Sequence, residues 1–437
     1  MKKIFLFLMV ATVAIITFNA CNLDSCTEKN IYQKWTPIYK KVDEIRLDVK
    51  AEAARELQKP GKLYFYDNYV FINEQNEGVH VIDNKNPENP RNVAFIKIPG
   101  NIDIAVKNNI LFADSYIDLL SIDISNPEKP ILAGRTENVF TNFTLNAKLG
   151  YLIDYQLSTE TVEVDCGSPY YGKVWFNDAA DFVFTNSLFD STPKAGSGSG
   201  IVSNATKPAT GVGGSFARFT VYDDYLYALD NSLMKVFDIK TPLTPITRTA
   251  VNVQWGIETI FPYKDKLFIG SQSGMFIYDA SSPANPKLLS KFEHARACDP
   301  VFVHDDIAYV TLRNGTACQG FTNQLEVIDV KDLKSPKLLK IYPMQHPHGL
   351  SIEGNTLYLC EGKFGLKSFN IKDLYDIENN KIATFSNFNA YDVIALPKDY
   401  TASGKKIVMV IGEDGFYQYD ASDAQKMKQI SVIRIKK

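Results

Sequence analysis

The phrase "HPHG" at residues 346–349 sets His346 and His348 two positions apart. On extended backbone such side chains point the same way, and neutral imidazole is a good ligand for zinc or copper. A metal centre needs three or four ligands, and His294 or Asp299 is the nearest further source. The chain has no Cys/His pair at finger spacing and no HExxH, so no metal is assigned. A second set of polar residues stands at the entrance to successive apolar runs: Asn101, Asp103, Arg218, Glu258, Asp299 and Asp392. Gathered with His346 and His348 around one rim, they would bind a polar small molecule, a sugar or a peptide terminus. Left as a solvated rim, they would pair with one another. Tyr170, Tyr171, Trp175 and Phe176 in "YYGKVWF" would stack on sugar rings or anchor a protein partner, or else bury their own segment. "AGSGSG" (195–200) lacks the preceding strand and following helix of a phosphate cradle and reads as a flexible loop. No GxSxG occurs, and none of the five histidines lies near an obvious Ser or Cys nucleophile. No catalytic residue and no cofactor is therefore assigned.

Whether those residues meet depends on the elements that carry them. "LEVIDVKDLKSPKLLK" (325–340) passes from an apolar run through an aspartate and a proline turn into a second apolar run. The phrase recurs as "GVHVIDNKNPENPRNVAFI" (78–96), "DLLSIDISNPEKPILAGR" (118–135), "LMKVFDIKTPLTPITRT" (233–249) and "GMFIYDASSPANPKLLSKF" (274–292). It recurs again at 366–385 and 415–433. The anchors are Asp83, Asp123, Asp238, Asp279, Asp329, Asn370 and Asp420, mostly 40 or 50 residues apart. Upstream of each lie two more alternating runs split by a polar pair, as in "IAVKNNILFAD" (104–114) and "FVHDDIAYVTL" (302–312), the mark of tight hairpins. Each repeat is thus four short strands, and a period near 40 predicts an all-β propeller. The aspartates are expected to make Asx turns, and the prolines, such as Pro90 and Pro286, to enter an outer edge strand.

"FTLNAKLGYLIDYQLSTETVEVD" (143–165) opens a further repeat, interrupted by an irregular insertion at about 166–215. Counting it predicts eight blades, or seven if this repeat is degenerate. Residues 36–60 are expected as an N-terminal amphipathic helix, with Thr36 as cap and Ile38, Val42, Ile45 and Val49 at helical spacing. The propeller then spans 61–437, with 21–35 as a tether.

"LEVIDV" and its relatives resemble the LVIVD-repeat family of bacterial envelope proteins. The resemblance spans nearly everything from residue 61 onward; Asn370 departs from the aspartate, and the last two repeats lack the paired prolines. It implies a lipid-anchored propeller and carries over no catalytic residues. The chain's beginning agrees: Lys2 and Lys3, then apolar residues from Ile4 to Phe18, read as a secretory signal over 1–20. Cys21 after Ala20 resembles the lipobox of bacterial lipoproteins, which implies lipidation of Cys21 and a membrane anchor in the cell envelope. Without residues 1–20 the balance is 45 basic to 50 acidic residues, with no basic block to suggest nucleic acid. Among the other cysteines, Cys298 and Cys318 flank one hairpin and are the candidate disulfide, while Cys360 in "LYLCEG" reads as a buried apolar residue. The expected function is a binding or scaffolding module for an envelope protein or carbohydrate. The alternative is a carbohydrate-active hydrolase or lyase using rim carboxylates and histidines.

Overall fold

The computed structural model describes residues 27–46, 49–165, 210–215, 217–294, 300–314 and 322–435. Two compact units divide the chain, one of residues 1–39 and 152–185, the other of 40–151 and 186–437. In the larger unit the expected repeats are antiparallel meanders. Sheet I comprises Pro60–Tyr66, Tyr69–Glu74, Gly78–Asp83 and Arg91–Lys97; sheet II comprises Ile104–Lys107, Ile110–Ser115, Asp118–Asp123 and Ile131–Thr136. Sheet III is built from Phe219–Tyr222, Tyr225–Asp230, Leu233–Asp238 and Ile246–Thr247, with Val251–Asn252 also on its third strand; sheet IV is built from Ile257–Tyr263, Lys266–Ser271, Gly274–Asp279 and Lys287–Glu293. Sheet V holds Val301–His304, Ile307–Leu312, Gln324–Asp329 and Lys337–Pro343. Sheet VI holds Leu350–Glu353, Thr356–Cys360, Leu366–Asn370 and Lys381–Phe385, and sheet VII Ala390–Leu396, Ile407–Gly412, Gly415–Asp420 and Lys428–Arg434.

Local chemistry explains each meander. The first hairpins turn on paired residues with positive φ, Asp67-Asn68, Asn108-Asn109 and Asp305-Asp306, the backbone that a type I′ turn requires and that Asn and Asp tolerate. After the third strand the anchor carboxylate or amide accepts the N–H two residues on, in all seven sheets. Asp83 accepts from Lys85, Asp123 from Ser125, Asp238 from Lys240, Asp279 from Ser281, Asp329 from Lys331, Asn370 from Lys372 and Asp420 from Ser422. The anchors are architecture, as their place in the repeat implied. We expect Asp123→Ala to lose about 1 kcal/mol of stability and Asp123→Asn almost none, because Asn370 shows that a neutral oxygen makes the same bond. Urea unfolding of the two variants measures this, and equal losses would discard the turn explanation.

The first strands touch in a closed cycle, from sheet I through II, III, IV, V, VI and VII back to I. Turns lock neighbouring sheets: the Ser121 hydroxyl donates to Pro242 O (2.7 Å), Tyr227 to Pro283 O (2.7 Å) and Ser431 to Pro87 O (2.7 Å). Asn84 and Gln418 close VII onto I by exchanging two side-chain hydrogen bonds of 2.9 and 2.7 Å. This is a β-propeller arrangement, with one apolar layer between each pair of sheets.

Two expectations differ from the structure. Residues 143–165 form no fourth-strand meander; Leu145–Asn146 and Gly150–Asp165 join Thr27–Lys40 in a separate three-stranded sheet, and sheet II abuts sheet III directly. The described residues therefore hold seven meanders, not eight. Nor is 36–60 an amphipathic helix. A single turn spans Val42–Arg46, and Lys50–Ala53 is a strand on the outer edge of sheet I, paired from Lys50↔Lys97 to Ala53↔Ala94. The open edge offers ladder hydrogen bonds that outweigh a marginal isolated helix. The turn is held by buried Ile45 and by Arg46, whose guanidinium grips the Asp118 carboxylate at 2.8 and 3.0 Å.

Candidate functional site

The entrance segments do converge at the inner strands, but most of their polar groups are already committed to one another. Asn101 is fully buried; its Oδ1 accepts from Asn73 Nδ2 (2.7 Å) and its Nδ2 donates to Asp114 Oδ1 (2.8 Å). Asp114 in turn receives the Ile102 and Asp103 N–H groups, and burial pushes it up to about 6 despite those bonds. The Asp103 carboxylate binds the Lys62 ammonium at 2.6 Å and accepts the N–H groups of Arg218 (2.6 Å) and Phe219 (3.1 Å). Arg218 donates to Leu229 O (3.2 Å), and half-buried Glu258 accepts from Gln272 (3.2 Å). Lys62 was not readable as a partner, since in "PGKLYFY" it is one lysine in an apolar strand. Its burial pulls its own pKa down even beside Asp103.

Asp392 lies at the inner edge of sheet VII with no exposure. Its Oδ1 accepts the Ser215 N–H (3.2 Å), while its buried Oδ2 has no hydrogen-bond partner. Burial raises this carboxyl to about 8, against the opposing pull of the Val393 and Ser215 amides and of Lys62. The residues that seal it are 210–215, the described end of the expected insertion.

One corner keeps polar atoms near the surface. The segment between sheets V and VI carries His346, half-buried, and His348, buried, with rings 4.9 Å apart and His348 Nε2 at 3.1 Å from His346 Nδ1. Arg313, after the second strand of sheet V, places Nη1 against the His348 ring. Tyr391, entering sheet VII, stacks obliquely on His348 at 5.5 Å, and Asn389 donates to the exposed Glu413 (2.7 Å). Gly362 turns with φ +54 against both imidazoles, where a Cβ would crowd them. Burial first, and then the Arg313 cation, holds His348 well below its ordinary range; the same two causes lower His346. Both imidazoles are therefore neutral at pH 7, able to donate from one nitrogen and accept at the other. The buried Asn389 Oδ1 lacks a donor. Among the described residues no group of three His, Cys, Asp or Glu side chains is placed to hold a metal ion, and the Arg313 charge opposes a cation here.

Sequence reasoning singled out His346 and His348, as part of one rim with the other entrance residues, and did not name Arg313, Asn389 or Tyr391, none of which belongs to a motif. Cys21, Tyr170, Tyr171, Trp175, Phe176, Cys298, Asp299 and Cys318 lie outside the described residues. Cys360 is fully buried, as its alternation with apolar residues implied.

Among the described residues, fold and site together define a repeat-built β-propeller with an internally bonded axis and a polar corner at His346 and His348. The LVIVD repeat family profile matches residues 102–137, which cover sheet II and its Asp123 turn. Residues 102–137 thus carry an LVIVD repeat. Among solved structures the chain is similar to a protein from Lactobacillus plantarum, with a TM-score of 0.53 and 11% identity over 86% of this chain and 97% of that one. At that identity the likeness supports the fold alone. Kluyveromyces lactis Hsv2 (TM-score 0.46, 10% identity, 86% and 98% covered) and a functionally unknown protein from Desulfotomaculum acetoxidans (0.45, 8%, 86% and 95%) are more distant and carry no argument. No curated protein matches the sequence.

Proposed function

We propose that this chain is a seven-bladed propeller that acts as a binding module in a bacterial envelope, tethered by lipid on Cys21, and that its ligand is a hydroxyl-rich carbohydrate or glycan-bearing partner. The seven-fold cycle of first strands supports the blade number, and the signal-like residues 1–20 ahead of Cys21 support the location. The observation that carries the ligand class is the His346–His348–Tyr391–Asn389 corner. Neutral imidazoles, an unmatched amide oxygen and an aromatic face suit hydroxyl groups, which donate and accept at once. Two of the rim carboxylates do not favour the hydrolase alternative. Asp103 is neutralised by Lys62, Asp392 is sealed, and neither carboxyl reaches solvent where a glycosidic bond would lie.

Thermal-shift screening of the mature chain against glycans and cell-wall fragments tests the reading. A ligand at a hundred times its dissociation constant stabilises the native state by about 2.7 kcal/mol, a rise of degrees in Tm. One sugar class should produce that shift, and His346→Ala or Asn389→Ala should remove it. No shift from any glycan, or a shift indifferent to both substitutions, would overturn the assignment.

A further inference from the structure

Residues 210–215, "TGVGGS", belong to no repeat, yet they run along the axis as a strand. Val212 and Gly213 pair antiparallel with Phe65 and Tyr64 on the inner edge of sheet I, and Thr210 bridges Lys107 of sheet II. The Gly211 N–H donates to Val106 O (3.1 Å) and the Gly214 N–H to Leu63 O (3.3 Å). Ser215 Oγ accepts the Leu350 N–H of sheet VI (2.6 Å), and the Ser215 N–H reaches Asp392 of sheet VII. Four sheets thus grip six residues, of which Gly211 to Ser215 are all buried.

The grip dictates small residues. A Cβ at Gly211 would collide with the Tyr64 ring, and one at Gly214 with the Asp392 carboxylate. Small residues alone would mean only tight packing. The second observation is Asp392 itself: fully buried, facing Gly214, and with Oδ2 unmatched by anything the segment offers. A buried carboxyl oxygen without a partner has given up its hydrogen bonds to water and gained none in return. The resident segment is therefore an imperfect occupant of the edge it covers.

We propose that the inner edge of sheet I, together with Asp392, is a strand-addition site for an extended, glycine-containing segment of a partner polypeptide, and that residues 210–215 hold it closed as an internal ligand. A partner strand makes the same ladder bonds to Leu63, Phe65 and Val106, and gains where it places a donor or acceptor on Asp392 Oδ2. Main-chain bonds supply affinity in this mode and the side-chain slots supply selection, here for glycine at two positions. This site is distinct from the histidine corner and stands or falls without it. The tethered segment competes at a high effective concentration, so a free peptide binds the intact chain weakly.

The test uses the full mature chain and a dye-labelled Thr-Gly-Val-Gly-Gly-Ser peptide. Gly214→Ala drives a Cβ into Asp392 and weakens the internal ligand. Anisotropy titration should show at least ten-fold tighter peptide binding by the folded variant than by the natural chain, reversed by excess unlabelled peptide. A folded Gly214→Ala chain that binds no better than the natural one would overturn the proposal. Hydrogen exchange on the natural chain decides the matter if that variant does not fold. The Gly211 and Gly214 amides should exchange at least a hundred-fold faster than those of Val70 and Phe71, through local opening. Exchange of all four only with global unfolding would show the segment to be plain core.

Discussion

Raising the pH from 4 to 9 should progressively destabilise this protein, and Asp392→Asn should remove most of that slope. In the fold the Asp392 carboxyl titrates at about 8 because burial penalises its charge, whereas its ordinary value is 3.8. The folded state thus holds a proton that the unfolded chain has released. Stability from this group is fully present below the unfolded value and is lost as pH rises through the folded one. At about 1.4 kcal/mol per pH unit across that window, the loss is on the order of 5 kcal/mol. The charges that act on it are Lys62, which eases ionisation, and Asp103, which opposes it; the buried Cys360 thiol lies close by. Asparagine keeps an oxygen for the Ser215 N–H and cannot ionise. Urea midpoints of the natural and Asp392→Asn chains at pH 5, 7 and 9 measure the effect. Parallel pH curves for the two would mean that Asp392 is not the titrating group.

Asp103→Ala is expected to cost about 3–5 kcal/mol, among the larger losses available to a single substitution here. Four groups lose their acceptor at once: the Lys62 ammonium, with 7% of its side chain exposed, and the amides of Ile104, Arg218 and Phe219. A buried ammonium without its carboxylate is the costliest of these, and Lys62 would shed its proton rather than stay charged. Lys62→Met alone leaves Asp103 charged with only amide donors and should also destabilise. The double variant Lys62→Met with Asp103→Ala should recover part of the sum, since neither charge then stays unpaired. Chemical unfolding of the three variants checks this. Strict additivity of the two single losses would show that the ion pair is not the source of the cost.

The repeat was open to reading in the sequence because its parts act locally. Asx turns join residues two apart, hairpin turns need only two residues able to take positive φ, and alternation marks each strand by itself. Asp83 to Asp420 announced both the four-stranded unit and its turn before any long-range contact was known. The histidine corner was half visible, since "HPHG" carries both imidazoles within three residues. Arg313, Asn389 and Tyr391 come to it from two other sheets, and nothing in their neighbourhood along the chain marks them.

What the sequence by itself determined was the strand unit, its number of recurrences to within one, and the architectural role of the aspartates. Tertiary structure decided the rest. Whether 143–165 became a blade depended on which edge was free to pair, and Thr27–Lys40 supplied it. The helix expected over 36–60 gave way where the outer edge of sheet I accepted Lys50–Ala53. Above all, the charge state of Asp392 and the pairing of Lys62 with Asp103 arise from burial by strands far apart in sequence, and desolvation is a property of the assembled axis that no single stretch of residues encodes.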